Sequence, residues 1–168
     1  MDHKLTQERD YLEDRLPSVK SDPFEQFSAW MEIAEKKITG NLYNAMVLST
    51  CVDGQPTSRI VLLKEFTDQG FIFYTNYLSA KGKQIAENPK VSLLLWWDSL
   101  ERQIRIEGIA EKIAAEQSDE YFHSRDKTYQ MGSAISQQSQ VIENRKILDI
   151  KRYVHEMQCI NKQCSTRD

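Results

Sequence analysis

The stretch Thr57 to Thr75, TSRIVLLKEFTDQGFIFYT, constrains the fold of this chain most. Ser58 to Phe66 is rich in Val, Leu and Ile, which suits a strand. Asp68-Gln69-Gly70 supplies a turn, with Gly free to take positive φ. Phe71 to Thr75 then returns, so the stretch predicts a β-hairpin. Side chains alternate along a strand. Arg59, Val61 and Leu63 therefore share one face, and Ile60, Leu62 and Lys64 the other. The cations at the two ends of this apolar strand have two readings. They snorkel at the sheet edges, which the hairpin alone slightly favours, or they face an anion.

Around the hairpin the pattern predicts more short strands and a few helices. Pro23 suits a first helical position after an Asp22 cap, with Glu25 placed for a capping box. Phe24, Phe27, Met31, Ala34 and Ile38 then recur at helical spacing up to Gly40-Asn41. Ala45 to Val52 reads as a strand, and Asp53-Gly54 as a tight hairpin turn into the central strand. Ser79 caps a short helix, Ala80 to Glu87, which Asn88-Pro89 stops. Val91 to Trp97 reads as an apolar strand buried on both faces, and Glu101 to Ile113 as a long strand. Helices are expected over Ala115 to Ser124 and Val141 to Met157, and a helix or irregular loop over Thr128 to Gln138. Strands this closely spaced pair antiparallel, because a parallel pair needs a long crossover. The expected class is mostly β with flanking helices, α+β, and a barrel or meander.

Composition sets the outer limits. With 168 residues the chain suits one domain, 1–168, with a polar arm at 1–20 and a polar tail at 158–168. A net charge of −3 gives no general pull toward nucleic acid or anionic membrane, so any anion site must be a local cation cluster. The N-terminus has no apolar core of the kind a secretory signal carries, and VSLLLWW is too short to span a bilayer. Cys51, Cys159 and Cys164 are odd in number and scattered, which fits reduced thiols of a cytoplasmic protein. His155, Cys159 and Cys164 lack a fourth ligand and a standard spacing, so no metal site is expected.

From physics alone the best anion site is Ser79-Ala80-Lys81-Gly82-Lys83. A helix N-terminus offers unpaired N–H groups and a positive dipole end, and Lys81 and Lys83 add charge. A solvated helix with two lysines has the same sequence. Tyr74-Thr75, at a strand end just before it, favours the anion site. Tyr121 and Arg125 are four apart on an expected helix and share a face. They suit a phosphate monoester, or a surface pair of Arg125 with Asp126 or Glu120, which the local sequence prefers. An imidazole's unperturbed pKa lies near neutrality, which makes His123 a candidate acid or base.

Six fragments fall in order and register: RIVLLK (59–64), FYTN (73–76), S-x-K (79–81), LERQ (100–103), YFHSR (121–125) and QQS (137–139). Together they resemble the pyridoxamine/pyridoxine 5′-phosphate oxidase family over about Glu8 to Leu148. The resemblance implies an FMN-binding split β-barrel and a homodimer with FMN at the subunit interface. It implies that Arg59, the backbone around Ile60 and Val61, Tyr74, Thr75, Lys81 and Gln103 hold FMN, and that Gln138 and Ser139 contact it from the partner subunit. Lys64, Tyr121 and Arg125 would bind the substrate phosphate, with Arg9 and Tyr11 on a segment folding over the substrate. The implied reaction is oxidation of pyridoxamine or pyridoxine 5′-phosphate to pyridoxal 5′-phosphate with O2 as acceptor. For His123 the resemblance implies a structural part, and no protein side chain is assigned as a catalytic group.

The sequence departs from the family pattern in three places. Ala80 stands where the family usually has Arg, and Tyr129 where it commonly has a small Ser or Gly. The family's later strand region, with a Trp and an R-x-H-x-R pattern, has no counterpart before Asp168. The alternative expectation is accordingly a flavin-binding split barrel without oxidase activity. A third is a non-enzymatic chain that folds poorly or serves only as a subunit of a hetero-oligomer.

Overall fold

The computed structural model describes residues 19–40 and 42–154. Arg9, Tyr11, most of the polar arm, the polar tail, and His155, Cys159 and Cys164 lie outside the described residues. Helix α1 (Pro23–Lys37) is followed by strands β1 (Ala45–Val52), β2 (Gln55–Leu62), β3 (Glu65–Thr67) and β4 (Gly70–Ile72). Then come α2 (Ala80–Glu87), β5 (Lys90–Trp97), a 3-10 turn (Asp98–Leu100) and β6 (Arg102–Ile109). Helices α3 (Ala115–Ser124), α4 (Lys127–Ile135) and α5 (146–154) complete the order. Four strands form an antiparallel sheet in the order β2-β1-β5-β6, and β3 and β4 form a second, two-stranded sheet. No described helix is long and apolar enough to cross a membrane.

Two compact units emerge. The first takes in the described residues up to Met46, with Leu62–Phe73 and Leu94–Ile104. Here Asp22 caps α1, its Oδ1 accepting from the Phe24 amide at 2.7 Å and the Glu25 amide at 3.3 Å. The Glu25 carboxylate pairs with Lys20 Nζ at 3.8 Å. The helical repeat brings Phe27 and Ala34 into the core. Phe27 meets Phe66 and Phe71 edge-on, with ring centroids 4.7 and 5.1 Å apart. Edge-to-face packing suits the aromatic quadrupole, and burying Phe27 contributes about 1.5–3 kcal/mol. Trp97 is buried, and its Nε1–H donates to the Tyr43 carbonyl at 2.7 Å.

The second unit takes in Val47–Val61, Tyr74–Leu93 and the described residues from Arg105. Asp53 (φ 50) and Gly54 (φ 75) both take the left-handed backbone that a two-residue hairpin turn needs. That turn sets Ser49 opposite Ser58 and Thr50 opposite Thr57, with hydroxyl oxygens 2.8 and 3.0 Å apart. Gly82, in the first turn of α2, packs against Tyr77, and a Cβ there would collide with the Tyr77 carbonyl.

Several expected boundaries change. The strand expected from Ser58 to Phe66 ends at Leu62. Leu63 donates its amide to Asn44 and Lys64 to Ile72, so the chain leaves β2 and starts β3. The return strand stops at Ile72, in register Glu65↔Ile72, Phe66↔Phe71 and Thr67↔Gly70. β5 is buried on one face: Leu93, Leu95 and Trp97 point inward, whereas Trp96 is 53% exposed. β6 ends at Ile109, and Glu101 belongs to the preceding turn with φ 50. The last helix starts at 146 rather than 141.

Candidate functional site

Arg59 leaves β2 on the face it shares with Val61, and its guanidinium enters a polar knot built by three elements. Nη1 donates to the Leu48 carbonyl at 3.2 Å and to Thr50 Oγ1 at 2.8 Å. Nη2 donates to Thr57 Oγ1 at 2.9 Å and to Gln84 Oε1 at 2.7 Å. Gln84, on α2, also accepts from the hydroxyls of Thr50 and Thr57 at 2.8 and 3.1 Å. Thr50 is 2% exposed, whereas Thr57 and Arg59 are half-buried, so these bonds are partly shielded from water. An arginine has five N–H donors. In Arg59 the Nε–H is the one outside these four bonds.

Lys81 lies one helical turn before Gln84, on the same side of α2. Its Nζ donates to Gln138 Oε1 at 2.9 Å and, at 3.5 Å, reaches Ser79 Oγ. Ser79 is fully buried. Its hydroxyl donates to the Asn76 carbonyl at 2.6 Å and accepts from the Gly82 amide at 3.3 Å, which fixes the start of α2. Desolvation first, and then the charge of Arg59, push the Lys81 ammonium below the usual lysine pKa. Desolvation alone lowers that of Arg59. Two partly dehydrated cations therefore sit within reach of each other at a capped helix N-terminus. Among the described residues their hydrogen-bond partners are hydroxyls, amide oxygens and a carbonyl, with no carboxylate. That donor set fits a phosphate.

A second cluster belongs to the same unit. Tyr74 and Tyr121 stack at 3.7 Å between centroids and 7° between planes. The Arg125 guanidinium carbon lies 6.0 Å from the Tyr121 ring and 5.9 Å from the Tyr129 ring. Its Nη1 donates to Ser133 Oγ at 2.9 Å. Gln130 is buried and donates to the carbonyls of Arg125, at 2.7 Å, and His123, at 3.2 Å, fastening the end of α3. Asp126 Oδ1 caps α4 by accepting from the Thr128 amide at 2.8 Å.

The other expected residues are placed as follows. Ile60 is 61% exposed and Val61 is buried, as strand alternation requires. Thr75 is half-buried beyond the end of β4. Ser139 has φ 68, an uncommon conformation for a residue with a side chain. Lys64 and Gln103 belong to the first unit. Gln103 is exposed on β6, and Lys64 lines a cavity of about 320 Å³ with Glu35, Tyr43 and Asn44. The residues not expected at the site are Thr50, Thr57, Gln84, Gln130 and Ser133. The Asp53-Gly54 turn carries the signal for the first two, since it dictates which residues face Arg59. For Gln84 the sequence offers only its helical spacing from Lys81.

The sequence pattern that describes the family "Pyridoxamine 5′-phosphate oxidase" matches residues 40–155, well over half of the chain. The chain belongs to the pyridoxamine 5′-phosphate oxidase family. It is 50% identical over 137 residues to pyridoxine/pyridoxamine 5′-phosphate oxidase 1 of Hydrogenovibrio crunogenus, covering 82% of this chain and 63% of that protein. It is 49% identical over 146 residues to pyridoxine/pyridoxamine 5′-phosphate oxidase of Actinobacillus pleuropneumoniae, covering 84% of this chain and 68% of that one. The chain thus spans about two thirds of the length of these relatives. Among solved structures, PhzG from Burkholderia lata in complex with tetrahydrophenazine-1-carboxylic acid aligns with a TM-score of 0.76 and 27% identity, over 83% of this chain and 71% of that one. A pyridoxamine 5′-phosphate oxidase-related, FMN binding protein from Nostoc punctiforme aligns with a TM-score of 0.58 and 15% identity, over 77% and 72%. The fold is that of the FMN-binding split barrel, an antiparallel sheet with flanking helices.

Proposed function

We propose that this chain binds FMN and oxidises pyridoxamine or pyridoxine 5′-phosphate to pyridoxal 5′-phosphate, with O2 as the final acceptor. The observation that carries the reading is the pair of Lys81, in the first turn of α2, and Arg59, bonded to Gln84 of the same helix, both held by neutral partners among the described residues. A phosphate there would gain charge-assisted bonds from Lys81 and helix amides. Arg59, its terminal nitrogens already engaged, contributes chiefly its charge and the Nε–H. FMN, when bound, supplies the acceptor for the hydride equivalent leaving the substrate. The chain's own work is placement. Ile60 and Val61 offer backbone, Tyr74 and Thr75 hydroxyls, and Gln103 an amide to the cofactor. Gln138 and Ser139 complete its pocket across a homodimer interface. Lys64, Tyr121 and Arg125 take the substrate phosphate, with Arg9 and Tyr11 closing over it. The whole chain acts as one FMN-binding domain of a cytoplasmic enzyme.

The test is anaerobic. Protein loaded with FMN is mixed with pyridoxamine 5′-phosphate, and bleaching of the flavin absorbance is the expected result. A yellow band that persists on bound flavin would sink the oxidase reading and leave a flavin-binding protein without turnover. One observation favours that second reading: the Tyr129 ring stands beside Arg125, where a phenol narrows the room for a substrate phosphate. Failure to retain flavin would remove both.

A further inference from the structure

We propose that Gln84 is a positioning residue of the anion site: its amide oxygen holds the Arg59 guanidinium where that charge reaches the phosphate bound at Lys81. The proposal rests on the FMN reading above and adds a residue to it. Gln84 Oε1 gathers three donors, Arg59 Nη2 at 2.7 Å, Thr50 at 2.8 Å and Thr57 at 3.1 Å. All four side chains of the knot touch one another, and Gln84 Oε1 is the atom on which the other three converge as donors. Gln84 also joins the strands to the helix. Thr50 and Thr57 come from β1 and β2, whereas Gln84 comes from α2, the helix that carries Lys81. The amide therefore ties the guanidinium to the same turn of helix as the ammonium. A glutamine does this without changing the charge of the site. A carboxylate at 84 would pin Arg59 equally well but would cancel one of the two cations. An apolar residue would leave Nη2 and two threonine hydroxyls without their shared acceptor.

The test compares full-length wild type with Gln84→Met, similar in length and without an acceptor, and Gln84→Glu. FMN affinity is read from flavin fluorescence, folding from the thermal midpoint, and the state of Arg59 from its guanidinium N–H resonances. In wild type the pinned Arg59 shows separate, slowly exchanging terminal N–H signals. In Gln84→Met these collapse and the FMN dissociation constant rises about tenfold, the scale of one hydrogen bond to a charged group. In Gln84→Glu the signals stay separate, yet affinity falls because the net charge of the cluster drops. A space-filling role would leave the signals and the affinity alone in both variants. FMN affinity within about twofold of wild type in the folded variants overturns the proposal. If Gln84→Met does not fold, Gln84→Glu decides by the same two readouts. If wild type binds no flavin, the FMN reading fails by itself. Unchanged Arg59 signals in Gln84→Met then refute the positioning role independently.

Discussion

Lys81 and Arg59 show how little a residue's type says about its work until its neighbours are known. Both are cations of the second unit, yet Arg59 spends its terminal donors on its own chain, whereas among the described residues Lys81 meets a hydroxyl and an amide. Replacing Arg59 by Ala should therefore destabilise the fold itself. It strips buried Thr50 and the Leu48 carbonyl of donors, at about 1–3 kcal/mol per orphaned group. Arg105→Ala is the control. Its pair with Glu107, at 2.8 Å, is exposed on both sides and should contribute about 0–1 kcal/mol. Urea unfolding of the two variants measures the difference, and equal losses would mean that the knot contributes nothing. Lys81 gives a pH prediction. Burial and Arg59 place its folded pKa below the ordinary lysine value of 10.5. A phosphate favours the charged ammonium, so FMN affinity is fully present below the depressed pKa and lost as pH rises through it, ahead of 10.5. For stability the sign is opposite. The unfolded chain keeps the Lys81 proton longer, so this group's destabilising contribution fades as pH rises through the same window. Flavin titrations across the alkaline range should show the falling limb in wild type and a flat, weaker profile in Lys81→Met.

At the scale of elements, α2 is the piece that the site cannot do without, and its first turn depends on Gly82. Adding a methyl group there drives a Cβ into the Tyr77 backbone, which cannot move aside as a flexible side chain would. Gly82→Ala should thus lower stability by about 1–3 kcal/mol, although alanine is the better helix former. It should also weaken FMN binding by displacing the N-terminal amides and Lys81. Calorimetry and flavin titration of the variant check both, and a stabilised protein with unchanged affinity would refute the packing argument. The start and end of α2 were legible in the sequence, because Ser79 and Asn88-Pro89 are local signals. So were α1 from Asp22 and Pro23, and the β1–β2 hairpin from Asp53-Gly54. The break at Leu63 was not. IVLLKEF reads as one strand by propensity, and what divides it is a tertiary bond, the Leu63 amide to Asn44. The one-sided burial of β5 escaped for a similar reason. VSLLLWW is apolar at every position but Ser92, so only the packed structure reveals that Trp96 faces out. For the proposed site, the structure joins residues of four of the six sequence fragments, through the Lys81–Gln138 bond and the Tyr74–Tyr121 stack. The knot around Arg59 could not be read, since Gln84 is 25 residues from Arg59 and no local pattern brings them together.

For the molecule as a whole, the question is whether its two compact units melt together. β1, β2, β5 and β6 each begin in one unit and end in the other. Losing one half of such a strand removes the anchor for the other half, so cooperative unfolding follows from covalent continuity. Of the residues proposed to hold FMN, Arg59, Ile60, Val61, Tyr74, Thr75, Lys81, Gln138 and Ser139 lie in the second unit, whereas Gln103 and the aromatic cluster around Phe27 lie in the first. A ligand that binds only the folded state at about 100 times its dissociation constant adds about 2.7 kcal/mol. In a chain of this length that corresponds to a rise of about 5–10 °C in midpoint. With FMN in that excess, calorimetry should show one transition, displaced upward by that amount. The near-ultraviolet signal of Trp97, in the first unit's core, should shift with it although all but one of the residues proposed to hold the ligand belong to the second. Two transitions, with only one moved by FMN, would show instead that the shared strands do not couple the units. The effect of Gly82→Ala would then be confined to the half of the molecule that carries α2.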